Sequence, residues 1–383
     1  MKIQCHRSII LEKYRLIKSR IILFTFFFVL PSCSHTLLSA STENIEALEL
    51  LQRDTLGFVD ARSRFREIFC AILDKRGTTL PDYMSCNESL RTVGKEILGQ
   101  SSSQDSRAIN LDVANNPFTI ALVPGIAWQC VRNWLNNDNS GAKHLLKQGF
   151  DVQLFEVDGL SSSPNNAQQI NNFVSKLRAE QSNKPIILIG YSKGAVDVLY
   201  AVSKYPQLQE KVVAVVSVAG AVGGSPLANN TDQSSLNLLT YIPMSACDSG
   251  DEKAIESLHT KTRKAWLANN PLPKNIHYYS VITYPEKERI SFGLKTPYGR
   301  LSKIDSRNDG QLIFYDQLIP NSQLLAFVNA DHWAMSVPIA RQSYLNRISF
   351  ANKNKYPREA LLEAIIRYVE EDLKEEKKPI ISL

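Results

Sequence analysis

The sequence predicts an α/β fold: a mostly parallel central sheet covered by helices on both faces, with a helical N-terminal preface and a lid or cap insertion. Three observations carry this. Short runs that are apolar throughout alternate with helical segments between Phe118 and Val328, and strands without a polar face belong in a parallel sheet buried on both sides. Ahead of them, Leu48, Leu51, Phe58, Phe65, Phe69 and Ile72 recur near the 3.6-residue period. That spacing predicts helix from Thr42 to about Lys75, stopped by Gly77. Between Ala221 and Lys274 the strand–helix rhythm gives way to Gly and Pro and then to amphipathic stretches.

The elements follow in order. A second short helix is expected over Ser89–Leu98, and the polar run GQSSSQD (Gly99–Asp105) reads as a loop. Strands are expected at Phe118–Val123, Val152–Val157, Pro185–Ile189, Val212–Val218, His277–Thr283 and Leu324–Val328. Helices are expected at Ser140–Lys147, Asn165–Glu180, Ala195–Ser203 and, as a charged outer covering, Pro357–Glu376. Pro285–Arg307 reads as irregular. At 383 residues the chain can bury a large core. The division expected is a signal over 1–33, a helical segment over 34–110 packed as a cap, and a main domain over 111–383 with a lid at 222–274.

The net charge of +6 does not indicate a nucleic-acid partner. Lys2, Arg7, Lys13, Arg15, Lys18 and Arg20 stand against Glu12 alone in the first 33 residues, so nearly all the excess sits there. The rest of the chain has no basic bias with which to neutralise phosphates. The basic stretch leads into Ile21–Leu30 (IILFTFFFVL). Ten helical residues span roughly 15 Å, half a bilayer core, which suits a signal-peptide core and not a membrane span. Leu30-Pro31-Ser32-Cys33 follows and resembles the bacterial lipobox. That resemblance implies lipidation of Cys33 and a membrane anchor; ordinary cleavage further on, for example after Ala40, is the alternative. Cys70, Cys86, Cys130 and Cys247 remain. An even number in an exported chain allows disulfides, with Cys70 and Cys86 the easiest pair; buried free thiols are the alternative.

Gly190-Tyr191-Ser192-Lys193-Gly194 follows the apolar run PIILI and opens a helix. Ser192 in that G-x-S-x-G turn is the candidate nucleophile. A strand passing directly into a helix forces the serine into a strained conformation, and side chains at 190 and 194 would clash in the turn. Serine needs a base. Of His35, His144, His259, His277 and His332, only His332 both follows the elbow and sits in a loop after a strand, LLAFVNADHW. The acid should precede it, so Asp305, Asp309 and Asp316 are candidates. Asp309 leads, because Gly310 permits a tight turn that presents its carboxylate; Asp331 is too close in sequence to His332 to reach the required geometry. The oxyanion donors expected are the Lys193 amide and the Ile126 amide, with Ala127 second, in the loop Val123-Pro124-Gly125-Ile126.

Three segments together resemble bacterial lipases and esterases of the α/β-hydrolase superfamily. They are ILIGYSKGA, then VAGAVGGSPLA (Val218–Ala228), then Asn308-Asp309-Gly310 with His332 following Asp309 by 23 residues. The resemblance covers roughly residues 115–345 and implies the α/β-hydrolase fold and a Ser192, Asp309, His332 triad. Pro124-Gly125 stands where those lipases often have His-Gly, and Lys193 where His or Gln is usual. Ala334 stands where many carry an Asp of a calcium site, so no metal is expected, and no cofactor. The function expected is hydrolysis of carboxylic, chiefly lipid, esters through an acyl-enzyme. An acyltransferase on the same triad and a non-catalytic binding lipoprotein are the alternatives.

Overall fold

The computed structural model describes residues 57–93, 108–114, 117–131, 141–180, 184–231, 250–335, 338, 341 and 355–376. The signal-like segment, Cys33, Ala40, the Gly99–Asp105 loop, the middle of the insertion and Cys247 lie outside them. The strands are β1 (Phe58–Asp60), β2 (Leu90–Arg91), β3 (Thr119–Val123), β4 (Asp151–Leu154), β5 (Ile186–Tyr191), β6 (Val212–Val218), β7 (His277–Thr283) and β8 (Ser322–Val328). The longer helices are α1 (Arg62–Arg76), α2 (Gly141–Lys147), α3 (Ser163–Glu180), α4 (Lys193–Lys204), α5 (Thr260–Asn269), α6 (Lys295–Leu301) and α7 (Arg358–Glu376).

Among the described residues the strands form one sheet in the order β1-β8-β7-β6-β5-β3-β4, with β2 also on β8. Every pairing is parallel except that of β2. The two-residue side-chain period divides each apolar run between two cores. On one face Ile120, Ile187 and Ile189 pack with Phe65, Ile68, Phe69 and Ile72 of α1 and with Ala364, Ile365 and Val369 of α7. On the other, Ala121, Val123, Ile186 and Leu188 pack with Ile170 and Val174 of α3 and Val198, Leu199 and Val202 of α4. A polar residue at any of these strand positions would meet a core, which is why the runs are continuous. Each large apolar side chain so buried contributes about 1.5–3 kcal/mol.

The N-terminal segment departs from its expected all-helical form. Phe58, read as helical, opens β1, which pairs with β8 through Phe58 and Ser322. Of the expected helix over Ser89–Leu98 only residues 89–93 are described, and there helix is confined to a single turn, Cys86–Ser89, capped reciprocally by Ser85 and Glu88. The chain then turns extended, and Leu90 of β2 lies opposite Val328. Residues 57–93 therefore form an edge of the sheet as well as covering it. Both strands are too short to show a period of their own; hydrogen bonding to β8 defines them. A disulfide joins Cys70 of α1 to Cys86, closing a 16-residue separation, which contributes about 3 kcal/mol by the chain-entropy model. Cys130 is disulfide-bonded as well.

One buried carboxylate ties three helices together. Glu363 of α7 is fully buried and accepts hydrogen bonds from Arg76 of α1 (2.9 Å), Arg367 of α7 (2.7 Å) and His144 of α2 (2.8 Å). Burial pushes the carboxyl up, but the bonds from His144, Arg76 and Arg367 outweigh it and hold it at about 2, below the ordinary 4.5. A depressed carboxyl stabilises the fold above its unfolded value. That contribution is complete above 4.5 and is lost as pH falls from 4.5 towards 2. Glu363→Gln strands the cations; the expected loss is roughly 3 kcal/mol at neutral pH, read by urea unfolding. The difference from wild type should shrink as pH drops below 4.5.

Candidate active site

β5 ends at Tyr191 and α4 begins at Lys193, so Ser192 alone makes the turn. It does so at φ 54°, ψ −123°, a conformation L-residues rarely adopt. The flanking glycines make room for it. A Cβ on Gly190 would lie 2.5 Å from the Ala195 backbone, and one on Gly194 would lie 2.3 Å from the Val123 carbonyl oxygen. The turn is clamped from both sides. The Ser192 N–H donates to the Val218 carbonyl (3.1 Å), and the Ser192 carbonyl accepts from Ala195 (3.2 Å) and Ala221 (3.1 Å).

Ser192, His332 and Asp309 are buried and joined in one hydrogen-bonded line. Ser192 Oγ lies 2.9 Å from His332 Nε2, and His332 Nδ1 lies 2.8 Å from Asp309 Oδ2. With a carboxylate facing Nδ1, the neutral imidazole carries its proton there and leaves Nε2 to accept from the Ser192 hydroxyl. The Asp309 carboxylate is held on every side. Its Oδ1 accepts from the N–H groups of Gln311 (2.9 Å) and Leu312 (2.7 Å), with Gly310 at φ 90°. Its Oδ2 accepts from the Thr283 hydroxyl (2.5 Å) and, at 3.4 Å, from Gln317 Nε2. The Gln317 amide in turn grips the Thr283 main chain, accepting from its N–H (2.7 Å) and donating to its carbonyl (3.0 Å).

The imidazole is fixed from behind. The Tyr191 hydroxyl donates to the His332 carbonyl (2.5 Å), and the His332 N–H donates to the Asp309 carbonyl (3.0 Å). Asp331 accepts from the N–H groups of Ser291 (2.7 Å) and Ala334 (2.9 Å), bracing the histidine loop without facing the ring. Burial, with the nearby negative charge of Asp309, raises its carboxyl above the usual range against those hydrogen bonds. The other acid candidates lie elsewhere: Asp305 pairs with Arg307 (2.6 Å), and Asp316 lies in the turn Phe314–Gln317. Of the other histidines, His144 is on Glu363, His259 precedes α5 and His277 opens β7. Thr283, Gln317 and Tyr191 had no signal in sequence beyond their places at a strand end, in a turn and inside G-x-S-x-G.

The loop after β3 approaches the serine closely: a Cβ on Gly125 would lie 3.0 Å from Ser192 Cβ. The next residue is Ile126. Ala127 donates its N–H to the Gly159 carbonyl (3.0 Å), so that amide is committed elsewhere. Lys193 is the first residue of α4, where an N–H has no intrahelical acceptor. The expected lid begins beside this site. Its described ends close on each other through the Ser225 N–H and the Leu258 carbonyl (2.9 Å), and the Ser225 hydroxyl donates to the Gln311 carbonyl (2.6 Å). The arrangement can draw a proton from Ser192.

A family described as Phospholipase/Carboxylesterase matches residues 136–281. Among solved structures, the metagenomic carboxyl esterase MGS0156 is 37% identical over 83% of this chain and 94% of its own, with a TM-score of 0.73. The mature lipase BlEst2 of Bacillus licheniformis is 19% identical over 56% of this chain and 84% of its own, with a TM-score of 0.45. No protein of curated function matches the chain.

Proposed function

The chain belongs to the α/β-hydrolase superfamily as an esterase-type hydrolase, and on that premise we propose that it cleaves carboxylic esters, lipid esters among them, through an acyl-enzyme on Ser192. Ser192 Oγ attacks the ester carbonyl carbon while His332 Nε2 takes its proton. Asp309 holds Nδ1–H and stabilises the imidazolium. The carbonyl oxygen, now an anion, accepts from the Lys193 and Ile126 N–H groups. The intermediate collapses, the C–O bond to the alcohol breaks, and His332 returns the proton to the departing alkoxide. Water, deprotonated by His332, then attacks the acyl-enzyme and releases the acid. The observation that carries this reading is the unbroken line from Asp309 through His332 to Ser192.

A p-nitrophenyl ester series from acetate to palmitate tests the substrate. An optimum at long chains supports lipid esters; an optimum at acetate or butyrate restricts the proposal to small esters. An added primary alcohol should leave free acid as the main product. A new ester as the main product would make the protein a transferase. We also propose, from the basic run, the apolar block and Cys33, an exported protein anchored by acyl groups. Radiolabelled palmitate fed to the expressing cells should enter the wild-type chain and not Cys33→Ser; equal labelling of both would overturn the anchor.

A further inference from the structure

A buried charge cluster lies behind the nucleophile, and the chemistry above leaves it without a part. Lys193 does not offer its ammonium to a substrate. The side chain folds back along α4 to Asp197, with Nζ 2.8 and 2.9 Å from the two carboxylate oxygens. Both side chains are 1% exposed. A buried ion pair adds little net stability over an apolar pair of the same volume, so folding alone does not account for it.

Its connections suggest another role. Asn166 of α3, fully buried, donates from Nδ2 to Asp197 Oδ2 (2.8 Å) and to the Asp158 carbonyl (2.9 Å). One peptide further on, the Gly159 carbonyl accepts the Ala127 N–H (3.0 Å). That bond holds Ala127 at φ 58°, a conformation costly for alanine, and so sets the turn that carries Ile126. The two proposed oxyanion donors belong to different elements, Lys193 to α4 and Ile126 to the loop after β3. A continuous path of hydrogen bonds joins them: Lys193, Asp197, Asn166, Asp158-Gly159, Ala127.

We propose that Lys193, Asp197 and Asn166 form a positioning device that sets the gap of the oxyanion hole through the Asp158-Gly159 peptide. These three side chains touch no reacting atom, and their effect falls on the tetrahedral state, where the gap matters. The proposal rests on Ser192 being the nucleophile. Asp197 also bears electrostatically on the buried guanidinium of Arg263, so changing it would disturb two cations at once. Asn166 and Gly159 give cleaner tests. Asn166→Leu removes both donated bonds at similar volume. Gly159→Ala acts from the other end, since its Cβ would lie 2.8 Å from the Ala127 nitrogen and 2.9 Å from its Cα.

The experiment measures kcat, KM and the pH profile on a p-nitrophenyl ester, and the Ki of an alkylboronic acid, whose serine adduct carries a tetrahedral anion. Both variants should lose kcat by about 10- to 100-fold with KM nearly unchanged. Their pH midpoints should match wild type, because the triad is untouched, and Ki should rise by the factor that kcat/KM falls. Two folded variants with wild-type kcat would overturn the proposal, as would a loss confined to KM or a moved pH midpoint. Ser192→Ala run alongside separates the two levels. If it stays active, the nucleophile assignment has failed; if it is dead while these variants are fully active, the positioning role has failed.

Discussion

Ser192→Ala is expected to lower kcat for ester hydrolysis by about 10⁵- to 10⁶-fold without unfolding the protein. The change deletes one oxygen, the atom 2.9 Å from His332 Nε2. The turn itself should survive. It is held by main-chain bonds to Val218, Ala195 and Ala221, and alanine bears the φ of 54° about as well as serine does. Turnover of p-nitrophenyl butyrate, with thermal unfolding as the control, reads the effect. A folded variant retaining more than about a hundredth of wild-type kcat would place the nucleophile elsewhere, because removing a triad serine leaves only what binding and the oxyanion donors supply.

Asp309→Asn should cost about 10⁴-fold in kcat with little change in fold. The direction follows from which oxygen is committed. The Oδ1 position receives two main-chain N–H groups, from Gln311 and Leu312, and main-chain donors cannot be turned around. The amide oxygen of the variant must take that place, which puts its NH₂ at the Oδ2 position, facing His332 Nδ1 at 2.8 Å. The imidazole then has to accept at Nδ1 and carry its proton on Nε2, where it can no longer receive one from Ser192. The measurement is kcat across pH for the two proteins. Near-wild-type activity in the variant would shift the acid role to another carboxylate, and Asp331, next in chain to His332 and itself buried, would be the first to replace.

The residues of the proposed triad could be singled out in sequence because each sits in a turn written by its immediate neighbours. Gly190 and Gly194 mark the elbow, Gly310 marks the turn of Asp309, and the break Asn329-Ala330-Asp331 after an apolar strand marks the loop of His332. The parallel sheet was legible for a related reason: strands with a core on both faces cannot hide their composition. What escaped was set by partners distant in the chain. β1 and β2 exist because β8 offers its edge, and three- and two-residue strands show no alternation. Thr283 and Gln317 look ordinary until folding brings β7 and the Phe314–Gln317 turn against Asp309. Lys193 and Asp197 could be paired from their helical spacing, but that they are buried, and that Asn166 joins them, depends on α3 packing over α4.

A fluorophosphonate probe with the modified peptide mapped by mass spectrometry tests most directly whether Ser192 is an activated nucleophile. The phosphorus takes the place of the ester carbonyl carbon, fluoride leaves, and the adduct stays. One equivalent on Ser192, formed quickly by wild type and slowly or not at all by His332→Ala, is the result predicted. A folded wild-type chain that stays unlabelled, or that carries the adduct on another residue, would contradict it.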